Sequence, residues 1–96
     1  MSDQAYTERN CLVAFLAGEY PSGLKKTAIE GWDPEWNNCV FIDTPEGQMS
    51  WHYHDKDAWL FEHLPPYKGE WDGHTTLEKY ARLHDLVLSN HRGNQR

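Results

Sequence analysis

The segment Trp51-His52-Tyr53-His54-Asp55 sets two imidazoles two residues apart. Side chains alternate along a strand, so His52 and His54 would point the same way and could meet one ligand or one metal ion. An open catalytic metal site needs a third protein ligand, for which Asp57, His63 and His74 are the candidates. The spacing is necessary for such a site and insufficient for it, since a solvated strand face accounts for the same pattern. No resident metal or cofactor is therefore expected, and Trp51, His52 and His54 are read as a ligand- or partner-contacting set.

The second constellation is Trp71-Asp72-Gly73-His74-Thr75-Thr76. Gly73 frees the backbone just before a helix start, where exposed amides and the helix dipole favour an anion. His74, Thr75 and Thr76 add donors there, and Lys79 follows one turn later. These residues suit a phosphate, or they merely build a helix cap while Trp71 plugs the core. His74-Thr75-Thr76 also spells one His-x-Thr unit. Two-histidine phosphoesterases need a pair, one base and one acid, and no second unit is present.

Other arrangements fail sooner. Gly18 to Gly23 has the glycine spacing of a phosphate loop, but Leu24 stands where lysine must follow. No Ser-His-Asp or Cys-His set can be drawn from the sequence. Trp32 and Trp36 flank a loop and serve either as core staples or as partner anchors.

The elements that must position these residues can be read from periodicity. Asp3 to Ala17 reads as a helix, with Leu12, Val13, Phe15 and Leu16 near its end and Gly18 as its stop. Pro21 is expected to open a second short helix carrying Leu24, Ala28 and Ile29, ended by Gly31. Cys39 to Asp43, the turn Thr44-Pro45-Glu46-Gly47 and Gln48 to His54 predict a β-hairpin. Met49, Trp51 and Tyr53 share one face, and Ser50, His52 and His54 the other. Two strands are marginal alone, so the hairpin must pack on helices, gain a third strand or pair with a second subunit.

Asp55 is a plausible N-cap for a helix through about Leu64, burying Trp59 and Leu60 and stopped by Pro65-Pro66. Thr75-Thr76-Leu77-Glu78 is a capping box for the last helix. Leu77, Tyr80, Ala81, His84, Val87 and Leu88 form its expected inward stripe, and residues 90–96 its expected frayed tail. The fold class expected is α+β, one domain over 1–96, built on a central hairpin at about 39–54 between N- and C-terminal helices and completed, on one option, by oligomerisation.

Ninety-six residues bury a modest core, about 60–65% of the unfolded surface. Five Trp and five Tyr supply bulk that aliphatics do not, despite a mean hydropathy of −0.85. The net charge of −6 argues against a duplex nucleic-acid groove, which needs clustered cations. A small anion held by a few local donors is compatible with it. Cys11 and Cys39 lack CxxC spacing and read as buried free thiols. No apolar run spans a bilayer and Met1-Ser2-Asp3-Gln4 has no signal-peptide character, so the cytoplasm is the expected location.

Two motifs carry a family resemblance: Gly47-Gln48-Met49-Ser50-Trp51-His52, and Trp71-Asp72-Gly73-His74-Thr75-Thr76-Leu77-Glu78-Lys79-Tyr80. From roughly Gly31 to Leu83 the chain resembles small proteins encoded by phages and prophages. In those, an acidic residue usually follows the two threonines; Leu77 departs from this, in keeping with a buried helix face. The resemblance implies a phage accessory protein acting in the host bacterial cytoplasm. Counter-defence is the role it suggests, by binding an immune effector or by sequestering a nucleotide signal.

The expectation is thus a non-enzymatic binding protein. Its contacts would come from Trp51, His52, His54, Trp71, Gly73, His74, Thr75, Thr76 and Lys79. The alternative is a metal- or histidine-assisted phosphodiesterase using His52, His54 and His74.

Overall fold

The computed structural model describes the backbone of residues 3–94 and the side chains of residues 7–88. In chain order the elements are α1 (Asp3–Glu19), β1 (Ser22–Lys26), a 3-10 turn (Pro34–Trp36), β2 (Asn38–Thr44), β3 (Gly47–Tyr53), a 3-10 helix (Asp55–Leu60) and α2 (Thr76–Asn94). The strands form one antiparallel sheet in the order β1-β2-β3, so the architecture is α+β. The expected hairpin is present. Thr44 pairs with Gly47 across the turn, whose glycine has φ +129° and whose Thr44 hydroxyl donates to Gly47 O at 2.7 Å.

Register assigns the two sheet faces. The pairs Val40–Trp51, Ile42–Met49 and Asn38–Tyr53 lie on one face. There Val40, Ile42, Met49, Trp51 and Tyr53 pack with Val13, Leu16 and Ala17 of α1, with Phe61, and with Leu86 of α2. Strict alternation in β3 dictates this outcome, because only its odd positions carry bulky apolar groups. The pairs Cys39–His52, Phe41–Ser50 and Asp43–Gln48 lie on the opposite face. That second face is where the functional question lies.

The segment after Pro21 is strand β1, correcting the helix expected there. Gly23 explains why. Leu24 N donates to Pro65 O and Tyr67 N donates to Leu24 O, each at 2.8 Å, while β1 also pairs with β2. A Cβ on Gly23 would stand 2.6 Å from Tyr67 Cα. Only a residue without a side chain lets the 65–67 segment run this close, and the pairing on both sides outweighs local helix propensity. Gly23→Ala is expected to cost about 3 kcal/mol, the upper end of ordinary overpacking, because the obstructing atoms are backbone. A denaturant midpoint equal to wild type would contradict this close approach.

Three other expectations are corrected. The helix from Asp55 is a short 3-10 segment ending at Leu60, and its cap is His54, whose Nδ1 accepts from Lys56 N at 3.0 Å. Trp59 is 62% exposed and Phe61 takes the buried place instead, because the tighter 3-10 winding shifts which side chain turns inward. The inward stripe of α2 runs through Leu83 and Leu86; Leu77 is 81% exposed, and Tyr80, Val87 and Leu88 are also exposed. A helix touching an edge strand buries a narrow seam, so the remaining apolar positions stay outside. The departure at Leu77 is therefore a surface feature.

Of the expected frayed tail, Asn90 to Asn94 continue α2, and Gln95 and Arg96 lie outside the described residues. Cys11 is exposed, whereas Cys39 is buried as expected. No helix among the described residues is long and apolar enough to cross a membrane.

The free edge of β3 is covered by cations. Arg9 Nη2, Lys79 Nζ and Arg82 Nη1 donate to His52 O, Ser50 O and Gln48 O at 2.9, 3.2 and 2.6 Å. These carbonyls would otherwise offer a pairing edge to another chain. The same contacts concentrate positive charge beside β3 in an acidic protein.

Candidate ligand-binding cleft

The second sheet face is covered in part by the loop between Pro65 and Thr75. Tyr67 stacks on Phe41 with ring centroids 4.6 Å apart, and its hydroxyl donates to Asp43 Oδ1 at 2.9 Å. Gln48 ties down the next stretch. Its Nε2 donates to Glu70 O at 2.8 Å and its Oε1 accepts from Asp72 N at 3.0 Å. Gly73 then turns the chain with φ +86°, a left-handed conformation that disfavours any Cβ. The turn brings His74, only 6% exposed, down onto β3.

There His74 joins a chain of hydrogen bonds. Its Nδ1 lies 2.7 Å from Asp72 Oδ1, and its Nε2 lies 2.9 Å from Ser50 Oγ. Burial raises the Asp72 pKa, but the hydrogen bonds from His74 and the charge of Arg82 outweigh it, leaving this carboxyl below its ordinary value. A carboxylate only accepts, so Nδ1 carries the proton. In the neutral ring Nε2 must then accept, and the Ser50 hydroxyl donates to it. The sequence reading found no Ser-His-Asp arrangement; the fold builds one from Ser50, His74 and Asp72.

The relay borders a cleft of about 370 Å³. Ser50, His52 and Phe41 contribute from the sheet, Thr27 and Ala28 from the segment after β1, and Trp71, His74, Thr76 and Lys79 from the loop and the first turn of α2. His52 Nε2 sits 2.6 Å from Thr27 Oγ1. Burial pushes its pKa below the ordinary 6.5, assisted by the positive charges of Lys79 and Arg9, so His52 is neutral at pH 7. Cys39 also faces the cleft, but burial drives its thiol up to about 11 and leaves it un-ionised and inert as a nucleophile.

Lys79 is the cation of the cleft. Its Nζ lies 4.3 Å from the Trp51 ring centroid and donates to Ser50 O, and burial lowers its pKa below the ordinary 10.5. Trp71, 58% exposed, forms the outer aromatic wall, with its ring 5.8 Å from that of His74. It does not plug the core. The capping box forms as expected, Thr75 N donating to Glu78 Oε1 and Glu78 N to Thr75 Oγ1, both at 3.1 Å.

Of the residues singled out from sequence, His52, Trp71, His74, Thr76 and Lys79 meet at this cleft. Gly73 and Thr75 act one step back, through the turn and the helix cap. Trp51 lies on the opposite face of the sheet, in the core. His54 is also elsewhere: the strand ends at Tyr53, and His54 Nε2 pairs with Glu35 Oε2 at 2.8 Å while its ring meets Trp36 edge-on. The His52–His54 pair therefore does not converge. Among the described residues no three His, Cys, Asp or Glu side chains are grouped to hold a metal ion.

Sequence reasoning missed Ser50, Asp72 and Thr27. Ser50 was legible as a member of the polar face of β3, and Asp72 as a neighbour of His74. Thr27 had no signal, because its segment reads as helix.

The family model described as the WDGH domain matches residues 1–86. Trp71, Asp72, Gly73 and His74 spell that description. No curated protein and no solved structure matches the chain.

Proposed function

The chain belongs to the WDGH domain family, and on that footing we propose that it is a small-molecule binding protein whose cleft takes a nucleotide-class ligand. The observation that carries this reading is the pairing of an exposed indole, Trp71, with the Lys79 ammonium at one cleft of about 370 Å³. That volume lies in the range of about 300–1,000 Å³ usual for small-ligand sites. A planar base stacks on Trp71, and a phosphate meets Lys79 and Thr76. Neutral His52 and Ser50 supply hydrogen bonds along the floor. Arg9 and Arg82, held along the β3 edge, support a positive local potential despite the net charge of −6.

The resemblance to phage-encoded proteins supports a biological setting for such binding. A small protein that retains a nucleotide signal in an infected bacterium would blunt a defence that depends on that signal.

Calorimetric titration of the purified chain with a panel of mono-, di- and cyclic nucleotides tests the reading. At least one is expected to bind, and Lys79→Met should weaken it at least about tenfold, or about 1.4 kcal/mol. Trp71→Ala should do the same without altering the melting temperature, because the indole is largely outside the core. Absence of heat across the whole panel would remove the nucleotide reading.

A further inference from the structure

We propose that Ser50 is a nucleophile, activated by His74 and positioned by Asp72, and that the cleft hydrolyses small carboxylic esters. The inference goes beyond ligand binding and does not rest on the identity of the nucleotide. Its basis is the unbroken chain Asp72 Oδ1–His74 Nδ1 at 2.7 Å and His74 Nε2–Ser50 Oγ at 2.9 Å, ending at a hydroxyl that borders the cleft.

Each link supplies what such chemistry requires. Asp72 accepts from Nδ1 and also from the His74 backbone N–H at 2.9 Å, which fixes the ring plane and its tautomer. The side chain of His74 is 3% exposed, so packing holds its ring against Ser50. Ser50 is anchored through its own carbonyl by Lys79. Lys79 and Thr76 line the same cleft as the hydroxyl. Trp71 and Phe41 give the acyl or alcohol portion an apolar wall.

The reaction balances with water as the second substrate. Ser50 Oγ attacks the ester carbonyl carbon while its proton passes to His74 Nε2. The bond from that carbon to the alcohol oxygen breaks, and the departing alcohol takes the proton from His74. Water then attacks the acyl-Ser50, giving one proton to His74, and the carboxylic acid leaves as Ser50 recovers its hydrogen. Asp72 remains a carboxylate throughout.

The test treats the purified chain with a fluorophosphonate probe and maps the adduct by mass spectrometry. A single adduct on Ser50 is expected, together with p-nitrophenyl acetate hydrolysis that disappears in Ser50→Ala. Mapping on the wild-type chain needs no variant to fold. Asp72→Asn presents an amide N–H to Nδ1 and forces the wrong tautomer, so labelling should slow about 10³–10⁴-fold while the circular dichroism spectrum is retained. No adduct, an adduct at another residue, or wild-type labelling of Asp72→Asn would overturn the assignment.

Discussion

Trp51→Ala is expected to lose about 3–5 kcal/mol of folding stability, the largest single loss available in this core. Trp51 is 1% exposed and is the biggest fully buried side chain. It sits opposite Val40 in the sheet and beneath α2, with Tyr80 edge-on at 5.6 Å and Lys79 and Arg9 at 4.3 and 5.6 Å from its ring centroid. Deleting it opens a cavity between the sheet and α2 and removes the aromatic surface against which both cations lie. Domains of this size have about 5–15 kcal/mol in total, so the variant should be close to the limit of folding.

Thermal melting checks it, at about 4–8 °C per kcal/mol for a chain of this length. Trp59→Ala is the control: its ring is 62% exposed, and the change should stay within about 0.5 kcal/mol. Equal losses in the two variants would contradict the burial assignment. Trp51→Phe should cost much less than Trp51→Ala. The indole Nε1 is buried with no hydrogen-bond acceptor among the described residues, and phenylalanine removes that unmet donor.

Asp57→Ala is expected to lose at least about 3 kcal/mol, since hydrogen bonds to a charged group are worth about 1.5–3 kcal/mol each and a stranded donor adds to the cost. Asp57 is 3% exposed within the 3-10 helix that follows β3. Its carboxylate accepts from Asn10 Nδ2 at 2.8 Å and Thr7 Oγ1 at 3.2 Å, both on α1. Asn10 is itself 1% exposed and accepts from Arg9 Nη2 at 2.9 Å. Arg9 in turn reaches His52 O on β3. Truncating Asp57 thus strands a buried amide and loosens the hold of α1 on the edge strand.

Urea denaturation should show a lower midpoint with an unchanged slope, because the surface exposed on unfolding stays the same. Asn10→Ala in the Asp57→Ala background should cost less than in wild type, since the two side chains share one interaction. Additive losses would show that they act separately.

Much of this molecule was legible in the sequence wherever a local rule and the tertiary environment agree. The β3 alternation separated Met49, Trp51 and Tyr53 from Ser50 and His52 without reference to any partner. Turn chemistry at Thr44 to Gly47 and the Thr75–Glu78 cap required only residues within four positions of one another. The cleft itself was half legible: His52, Trp71, His74, Thr76 and Lys79 were named, but not what brings them together.

What the sequence determined by itself is the hairpin, the start of the last helix and the chemical character of two polar segments, because period-2 patterning and capping are near-neighbour effects. Only the tertiary structure decided that Ser22–Lys26 is a strand, since Gly23 is useful there solely through the backbone of Tyr67 on its far side. It also decided that Leu77 faces outward and that His54 leaves the site for Glu35. Above all it joined Ser50 to His74 and Asp72. That contact depends on a loop folding back over the sheet at the left-handed Gly73, and the hydrogen bonds that hold the loop, from Gln48 to Tyr67 and Asp72, act between positions far apart along the chain.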